Sequence, residues 1–583
     1  MYRILIGSLI YMALFSCQPK PITTIAPNVI LILTDDQGYG DLGIHGNSQI
    51  DTPVLDQLAR ESARFDRFYV SPLCAPTRAS MLTGRYHLRT GTISVSKGLE
   101  TMDTEEYTLA ELFKDNGYST SLFGKWHNGQ HYPNHPLAQG FDVFTGFLGG
   151  HWSNYFDTHL EKDGKTQKTA GYITDVLTDE AIAFIEDNQS EPFFTYLAYN
   201  TPHSPHQVSD RFFDPYKAQG LDDELAAIHG MVSNLDWNIG RVLDKLKALG
   251  LEENTVVIFL TDNGPNGNRF NAEMKGIKGS VHEGGVRVPS FWKWPENIQP
   301  GVKTIAGSHI DILPTLVELL GLDFKEKLPL DGISLAPALR GESQESSRAI
   351  FSHVAQPERK LDPFPGAIRK DSLLLTQFAA GNELYDLKND PSQKLNLVDS
   401  FPEITAKILQ EYESWWAEVT QGVVFDRPIP ISNQAPEILL AAYESTFTGN
   451  LTFYEGHGWA QDWLTNWKGS DDKITWELHV IDPGSYEVIF EYQASEAQLG
   501  TELILKHGLT ETPFRISEAF TGELIPSPDR IVRKEAPEKT WGRLSIGKID
   551  LQKGKTNLSL FAKNISPAGV GDFYSLRLIP LKD

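Results

Sequence analysis

Two apolar runs of strand length, each ending in a pair of oxygen-bearing side chains, constrain this chain more than any other feature. Asn28-Val29-Ile30-Leu31-Ile32-Leu33 leads at once into Thr34-Asp35-Asp36-Gln37-Gly38-Tyr39-Gly40, and Thr255-Val256-Val257-Ile258-Phe259-Leu260 leads into Thr261-Asp262-Asn263-Gly264. An uninterrupted apolar run this short reads as a strand covered on both faces, as in a parallel or mixed sheet. Both copies place carboxylate or amide oxygens just beyond a strand's carboxyl end, where open α/β sheets build their sites. Between them, Leu225, Ile228, Val232, Leu235, Ile239, Val242 and Leu246 recur at alternating spacings of three and four, the apolar stripe of a long helix, and Gly250 follows as its stop. A helix leading into a buried strand indicates an α/β architecture. The 583 residues exceed one simple core, so about two or three domains are expected.

One of only two cysteines lies in Ser71-Pro72-Leu73-Cys74-Ala75-Pro76-Thr77-Arg78-Ala79-Ser80-Met81-Leu82-Thr83-Gly84-Arg85. Pro76 suits a first helical turn, where its missing N–H costs nothing, so the thiol is predicted beside a helix N-terminus. Such an end offers free N–H groups and a partial positive charge to an oxyanion. Cys74-Ala75-Pro76-Thr77-Arg78, followed by Leu82-Thr83-Gly84-Arg85, resembles the signature of the formylglycine-dependent (type I) sulfatases, arylsulfatase-like enzymes in which that cysteine is oxidised to an aldehyde. The resemblance continues in order through Gly124-Lys125-Trp126-His127, Thr201-Pro202-His203-Ser204-Pro205 and Gly276-Ile277-Lys278-Gly279-Ser280-Val281-His282-Glu283-Gly284-Gly285-Val286-Arg287-Val288-Pro289, covering residues 27–423. A lone cysteine is more often a buried, inert one; the ordered companion segments are what argue against that here.

The resemblance implies an alkaline-phosphatase-superfamily sulfatase fold, a large mixed sheet flanked by helices with a smaller α+β C-terminal subdomain. It implies one Ca²⁺ held by Asp35, Asp36, Asp262, Asn263 and the modified Cys74, in keeping with a hard cation that takes about six to eight oxygen ligands; no histidine–cysteine cluster suggests zinc. The implied catalytic set is Cys74, Arg78, Lys125, His127, His203, Asp262 and Lys278. In the implied cycle Ca²⁺, Arg78, Lys125 and Lys278 orient and neutralise a sulfate ester, and one hydroxyl of the hydrated aldehyde (3-oxoalanine, formylglycine) at position 74 attacks sulfur while Asp262 takes its proton. His203, with Lys278, protonates the leaving alcohol. The second hydroxyl releases sulfate with His127 as proton acceptor, so cleavage is of the S–O bond. His206, His282 and His309 are read as structural or peripheral. Oxidation of Cys74 also implies a formylglycine-generating or anaerobic sulfatase-maturating enzyme as a partner.

Met1-Tyr2-Arg3 precedes an apolar run from Ile4 to Phe15 that is too short for a stable membrane anchor. Residues 1–16 fit a secretory signal peptide. Leu14-Phe15-Ser16-Cys17 resembles a bacterial lipobox ending at the lipid-bearing Cys17, although Phe15 is bulkier than the pattern prefers; simple cleavage near Ser16 is the alternative. Residues 17–26 are read as a linker, 27–345 as the catalytic domain and 346–423 as its subdomain, where Glu383-Leu384-Tyr385-Asp386-Leu387-Lys388-Asn389-Asp390-Pro391 resembles the family's C-terminal hairpin. Pro428, Pro430 and Pro436 punctuate a linker over 424–445. Beyond it the pattern turns to period two, with Trp476, Leu478 and Val480, then Tyr486, Val488, Phe490 and Tyr492, then Leu558, Leu560 and Ala562. Residues 446–583 are therefore expected to form an all-β sandwich, similar to the carbohydrate-binding-module-like sandwiches of some bacterial polysaccharide-degrading enzymes. Trp459, Trp463, Trp467 and Trp541 are candidates for stacking on sugars, but filling the core or a domain interface is the expected use of such large apolar side chains.

A formal net charge of −24 argues against nucleic acid as a partner. It does not exclude an anionic substrate, because surface charge is screened within about 10 Å and a local cationic pocket dominates at contact. The combined expectation is an exported enzyme of the periplasm, outer membrane or cell surface, touching the membrane only through Cys17, that removes sulfate from an algal or host polysaccharide or its oligosaccharides. Two competitors stay open: a phosphate or phosphonate ester hydrolase of the same superfamily, and a glycan-binding protein whose Cys74 is never oxidised. The loops Gly149-Gly150-His151-Trp152-Ser153-Asn154-Tyr155 and Asn266-Gly267-Asn268-Arg269 are expected on the alcohol side, without identifying a sugar.

Overall fold

The structure, a computed structural model, describes residues 26–343, 347–355 and 360–581. In it the two apolar runs are neighbours: the strands Asn28–Asp35 and Thr255–Thr261 pair in parallel, with Asn28 opposite Thr255 and Thr34 opposite Thr261. On the other side of Asn28–Asp35 come Phe193–Pro202, Ser119–Lys125 and Val143–Phe147, all parallel. Antiparallel strands at either side, Ser290–Lys293 and His159–Lys162, continue it, and Ala63–Phe65 with Gly301–Lys303 at one edge and Lys165–Lys168 at the other complete a ten-stranded mixed sheet. The reason for the unbroken apolar sequence is then visible. Val29, Leu31 and Leu33 enter a core shared with the helix Cys74–Thr83 and the helices Leu109–Asp115 and Ile312–Leu320. Ile30 and Ile32 enter the opposite core with the helices Ile173–Asp187 and Asp223–Ala248.

The helix Asp223–Ala248 buries the expected stripe from Ile228 to Leu246, with Leu225 only half-buried at its start. Asp222 caps it by accepting a hydrogen bond from the Leu225 amide at 2.8 Å, and Gly250 beyond its end takes a φ of 68°. This is the large mixed sheet flanked by helices that the resemblance implies. It continues into a four-stranded antiparallel sheet, Ile350–His353, Gly366–Lys370, Leu373–Phe378 and Gly381–Asp386. The helix Pro402–Val419 lies against that sheet and buries Ile408, Tyr412 and Trp415.

Two further antiparallel-rich sheets form the C-terminal sandwich. One is built on Lys473–Val480, Gly554–Asn564 and Glu502–His507, the other on Asp572–Pro580, Gly484–Gln493 and Gly542–Leu551. Their inward positions, among them Trp476, Leu478, Val488 and Phe490, make one core. The reading of 424–445 as a linker is corrected here. Ile429–Ile431 pairs in parallel with Lys473–Val480, and Ile438–Ala441 pairs with Asp572–Pro580, so the chain is already inside the sandwich at Ile429. Pro430 is compatible with that strand because it runs at a sheet edge. Trp463 and Trp467 are buried, as large aromatic side chains of a small β domain are expected to be; Trp459 is not. The expected signal peptide, the lipobox at Cys17 and all but the last residue of the 17–26 linker lie outside the described residues. No helix among the described residues is long and apolar enough to cross a membrane.

Candidate active site

Four adjacent parallel strands end at one place, and each delivers side chains there. Thr255–Thr261 is followed by Asp262 and Asn263, and Asn28–Asp35 ends in Asp35 with Asp36 next. Phe193–Pro202 is followed by His203, and Ser119–Lys125 ends in Lys125, two residues before His127. Gly124 lets that last strand fit: a Cβ there would lie 1.9 Å from the Ala198 carbonyl oxygen, so only glycine brings Lys125 so close to its neighbour strand. From the helical layer, the helix Cys74–Thr83 begins at Cys74 itself and puts Arg78 one turn on. Lys278 comes from a loop whose amide donates to the Pro265 carbonyl at 2.9 Å.

These side chains meet as a buried charge cluster. Arg78 donates from Nη2 to Asp262 Oδ2 at 2.8 Å and from Nη1 to the Lys125 carbonyl at 3.0 Å. Lys125 Nζ lies 2.7 Å from Asp35, and Lys278 Nζ 2.6 Å from Asp36. His203 donates from Nδ1 to the Ser204 carbonyl at 2.7 Å, which turns Nε2 toward Asp36 at 3.7 Å. Burial opposes the charge on Asp35, yet Lys125, His203 and Arg78 outweigh it and hold that carboxyl well below the usual range. Asp262 goes the other way: burial, reinforced by Asp35, outweighs Arg78 and pushes it up to about 7. Burial also raises the Cys74 thiol against the pull of Lys125 and Lys278, so the unmodified side chain stays a thiol rather than a nucleophilic thiolate.

His127 has a φ of 60°, a conformation that L residues seldom adopt. Its Nε2 donates to the Val95 carbonyl at 2.9 Å. Burial, with Lys125 beside it, keeps the ring neutral. A neutral imidazole with Nε2–H has its lone pair on Nδ1, and Nδ1 is buried without a hydrogen-bond partner among the described residues.

The oxygens fit a hard divalent cation. Asp35 Oδ1, Asp36 Oδ2 and Asn263 Oδ1 are all buried and without hydrogen-bond partners among the described residues, a costly state that a cation relieves. Ligating atoms of Asp35, Cys74 and Asp262 lie within 4.8 Å of one another. Asn263 is oriented by its own amide, which donates from Nδ2 to Asp36 Oδ1 at 2.8 Å and leaves the oxygen free.

All the residues singled out in the sequence for nucleophile, metal and acid–base positions therefore converge. Around Cys74, His127, His203 and Lys278 opens a cavity of about 350 Å³. Gly149, Gly150, His151 and Asn266 line it, whereas Arg269 is bound to the Asp41 carboxylate, with hydrogen bonds of 2.7 to 3.0 Å, and to the Asp36 carbonyl at 2.7 Å, and is not a cavity residue. His282 and His309 are engaged elsewhere, with Glu383 at 2.8 Å and with Ser71 at 3.0 Å. Residues that sequence reasoning did not assign to this cavity also line it: Tyr443, Glu444, Trp459 and Glu535, all from the C-terminal β region. No motif marks them, because they reach the cavity only through tertiary packing.

A sulfatase family model matches residues 27–322, and a model of the N-sulphoglucosamine sulphohydrolase C-terminal part matches 277–417. Among similar proteins, N-acetylgalactosamine-6-sulfatase of Canis lupus familiaris is 33% identical over 362 residues, 56% of this chain and 68% of that protein. Arylsulfatase A of Homo sapiens is 33% identical over 448 residues, 66% of this chain and 86% of that protein. Among solved structures, Ps i-CgsB in complex with k-i-k-neocarrahexaose is 31% identical with a TM-score of 0.64, covering 69% of this chain and 95% of that one.

The Arg78–Asp262 pair yields a stability test. In chelator-treated protein, Arg78→Met leaves a buried carboxylate without its main cation and is expected to cost about 3–5 kcal/mol. The double variant Arg78→Met with Asp262→Leu should recover most of that loss. Denaturation curves check both, and a single variant as stable as the parent protein would contradict the pairing.

Proposed function

The chain belongs to the sulfatase family, and on that premise we propose that it removes sulfate from a sulfated saccharide by S–O cleavage at a modified Cys74. The observation that carries this reading is the convergence of Arg78, Lys125 and Lys278 with Asp35, Asp36 and Asp262 beside the first residue of a helix, Cys74. Three cations there balance three carboxylates, so a divalent ion among the free oxygens leaves a local positive excess suited to a sulfate ester. The neighbours support a saccharide: one curated relative is named for N-acetylgalactosamine 6-sulfate and one related structure holds a neocarrahexaose.

The set Asp35, Asp36, Asp262, Asn263 and residue 74 would hold Ca²⁺. When bound, the ion would polarise the sulfate, and the hydrated aldehyde made from Cys74 would supply one hydroxyl to attack sulfur and a second to release it. Arg78, Lys125 and Lys278 orient and neutralise the ester oxygens, as preorganised positive charge does in phosphoryl transfer. Asp262, its orientation fixed by the Arg78 fork, accepts the proton of the attacking hydroxyl. His203 presents Nε2 to the site and, with Lys278, protonates the departing alcohol oxygen. The Nδ1 lone pair of neutral His127 accepts the proton of the second hydroxyl. Formation of the aldehyde requires a maturating enzyme, formylglycine-generating or anaerobic.

An exported, lipid-anchored address is supported by the short apolar leader and the lipobox-like Leu14-Phe15-Ser16-Cys17; a mature N-terminus that is not an acylated Cys17 would overturn the anchor. Parallel assays of aryl sulfate and aryl phosphate esters decide the reaction. Sulfate preference is expected, with ¹⁸O from labelled water appearing in sulfate and the peptide at position 74 carrying an aldehyde in place of the thiol. Phosphate preference would favour the esterase alternative, and an unmodified thiol in inactive native protein would favour a glycan-binding role. Chelation is expected to abolish turnover and lower the melting temperature, with Ca²⁺ at a hundredfold excess over its Kd restoring about 2.7 kcal/mol. Asp36→Asn should weaken that restoration; chelator-resistant activity would rule the metal out.

A further inference from the structure

The sulfate end of the cavity is built by the central sheet, but its outer wall is built by the C-terminal sandwich. Trp459 is 39% exposed although its loop is held by hydrogen bonds at Asp462 and Gln461. Asp462 accepts hydrogen bonds from the amides of Glu455, Gly458 and Trp463 at 3.3, 3.2 and 2.9 Å. Gln461 accepts from the Ser153 amide at 2.7 Å, which ties the loop to the segment carrying His151. The Trp459 ring stacks on His457 at 4.3 Å and meets His151 edge-on at 5.9 Å, and His151 in turn lies parallel to His203 at 6.2 Å. The indole thus stands two rings from the histidine that faces the leaving alcohol, in the same cavity as Cys74.

The second sandwich segment at this wall is equally fixed. Buried Glu535 accepts a hydrogen bond from the hydroxyl of Ser204, next to His203. Arg533 donates to the Ser153 carbonyl at 2.6 Å, and Arg530 to the Val208 carbonyl at 3.1 Å. A domain that only tethered a polymer would not need to be fastened to both loops of the catalytic pocket. An apolar ring that stays partly open in a rigid polar pocket suits a partner with an apolar face and a polar rim, which describes a pyranose.

We propose that the sandwich is the alcohol-side wall of the active site, and that Trp459 is the platform on which the sugar ring bearing the sulfate stacks. This rests on the sulfatase reading above and assigns the saccharide side of that same site. The platform contributes to binding before and during reaction alike, so its loss acts on KM and not on kcat. The test uses the full-length matured protein with 4-nitrophenyl sulfate, sulfated neocarra-oligosaccharides and N-acetylgalactosamine 6-sulfate, taking forward the saccharide turned over fastest. Trp459→Ala is expected to raise KM for that saccharide about tenfold or more with kcat within about threefold, while Trp459→Phe keeps most of the affinity. Leu509→Ala, at an exposed turn of the sandwich outside this cavity, should leave both constants unchanged, and melting temperatures separate a binding loss from a folding one. An unchanged KM in a folded Trp459→Ala protein overturns the platform, as does turnover of 4-nitrophenyl sulfate with no turnover of any saccharide. Failure of the parent protein to hydrolyse any sulfate ester would instead bring down the sulfatase reading itself.

Discussion

Arg78 and Asp262 are both fully buried and joined at 2.8 Å, and most of the site's architecture follows from the need to keep such charges inside. A lone buried carboxylate is so costly that it neutralises or the structure opens. Here three carboxylates share one pocket, so each must be faced by a cation or a hydrogen-bond donor. Arg78, Lys125 and Lys278 meet that need from a helix, a strand end and a loop respectively. The three approach from different elements, and the pocket therefore exists only when the helix Cys74–Thr83, the central sheet and the loop around Lys278 are all docked. Among the described residues, one oxygen each on Asp35, Asp36 and Asn263 is left without a hydrogen-bond partner, and those oxygens are suited to a cation.

The sheet makes this concentration of charge possible. Parallel strands buried on both faces need no polar side chains along their length, so polar residues can be gathered at their carboxyl ends without breaking either core. Val29, Leu31 and Leu33 face one helical layer while Ile30 and Ile32 face the other. The strand is held from both sides up to Leu33, and Asp35 and Asp36 lie just beyond. Rigidity of that kind places the Asp35 and Asp36 oxygens without help from flexible loops. The φ of 65° at Asp36 shows how sharply the chain turns once the strand ends.

Much of this was legible in the sequence because it is carried by local pattern. Unbroken apolar runs fix a two-sided strand, the three-and-four spacing fixes the helix before Gly250, and the ordered short segments around Cys74, Lys125, His203 and Lys278 name side chains that the fold brings together. The misreading of 424–445 has a physical cause. Ile429–Ile431 and Ile438–Ala441 are three- and four-residue strands, too short to display a period of two, and Pro428 before them, Pro430 inside the first and Pro436 between them look like linker punctuation although Pro430 sits at an edge. Of the Asn266-Gly267-Asn268-Arg269 loop expected on the alcohol side, Asn266 lines the cavity and Arg269 does not, for a different reason. A surface-looking Asn-Gly-Asn-Arg loop gives no hint that the guanidinium folds inward onto Asp41.

The least legible part is the wall contributed by Trp459 and Glu535, and the asymmetry has a chemical origin. A sulfate ester presents the same tetrahedral anion whatever it is attached to, so one arrangement of carboxylates, cations and a helix terminus serves it, and that arrangement is short-range enough to leave motifs in the sequence. The alcohol varies in shape, and the cavity wall beside the charge cluster comes from loops and a domain far along the chain, joined to the pocket by contacts such as Gln461 with Ser153 and Arg533 with the Ser153 carbonyl. Those contacts have no fixed spacing and leave no local trace. The wall of the cavity can therefore differ through the sandwich loops and the segments they touch, while the charge cluster at the strand ends stays as it is.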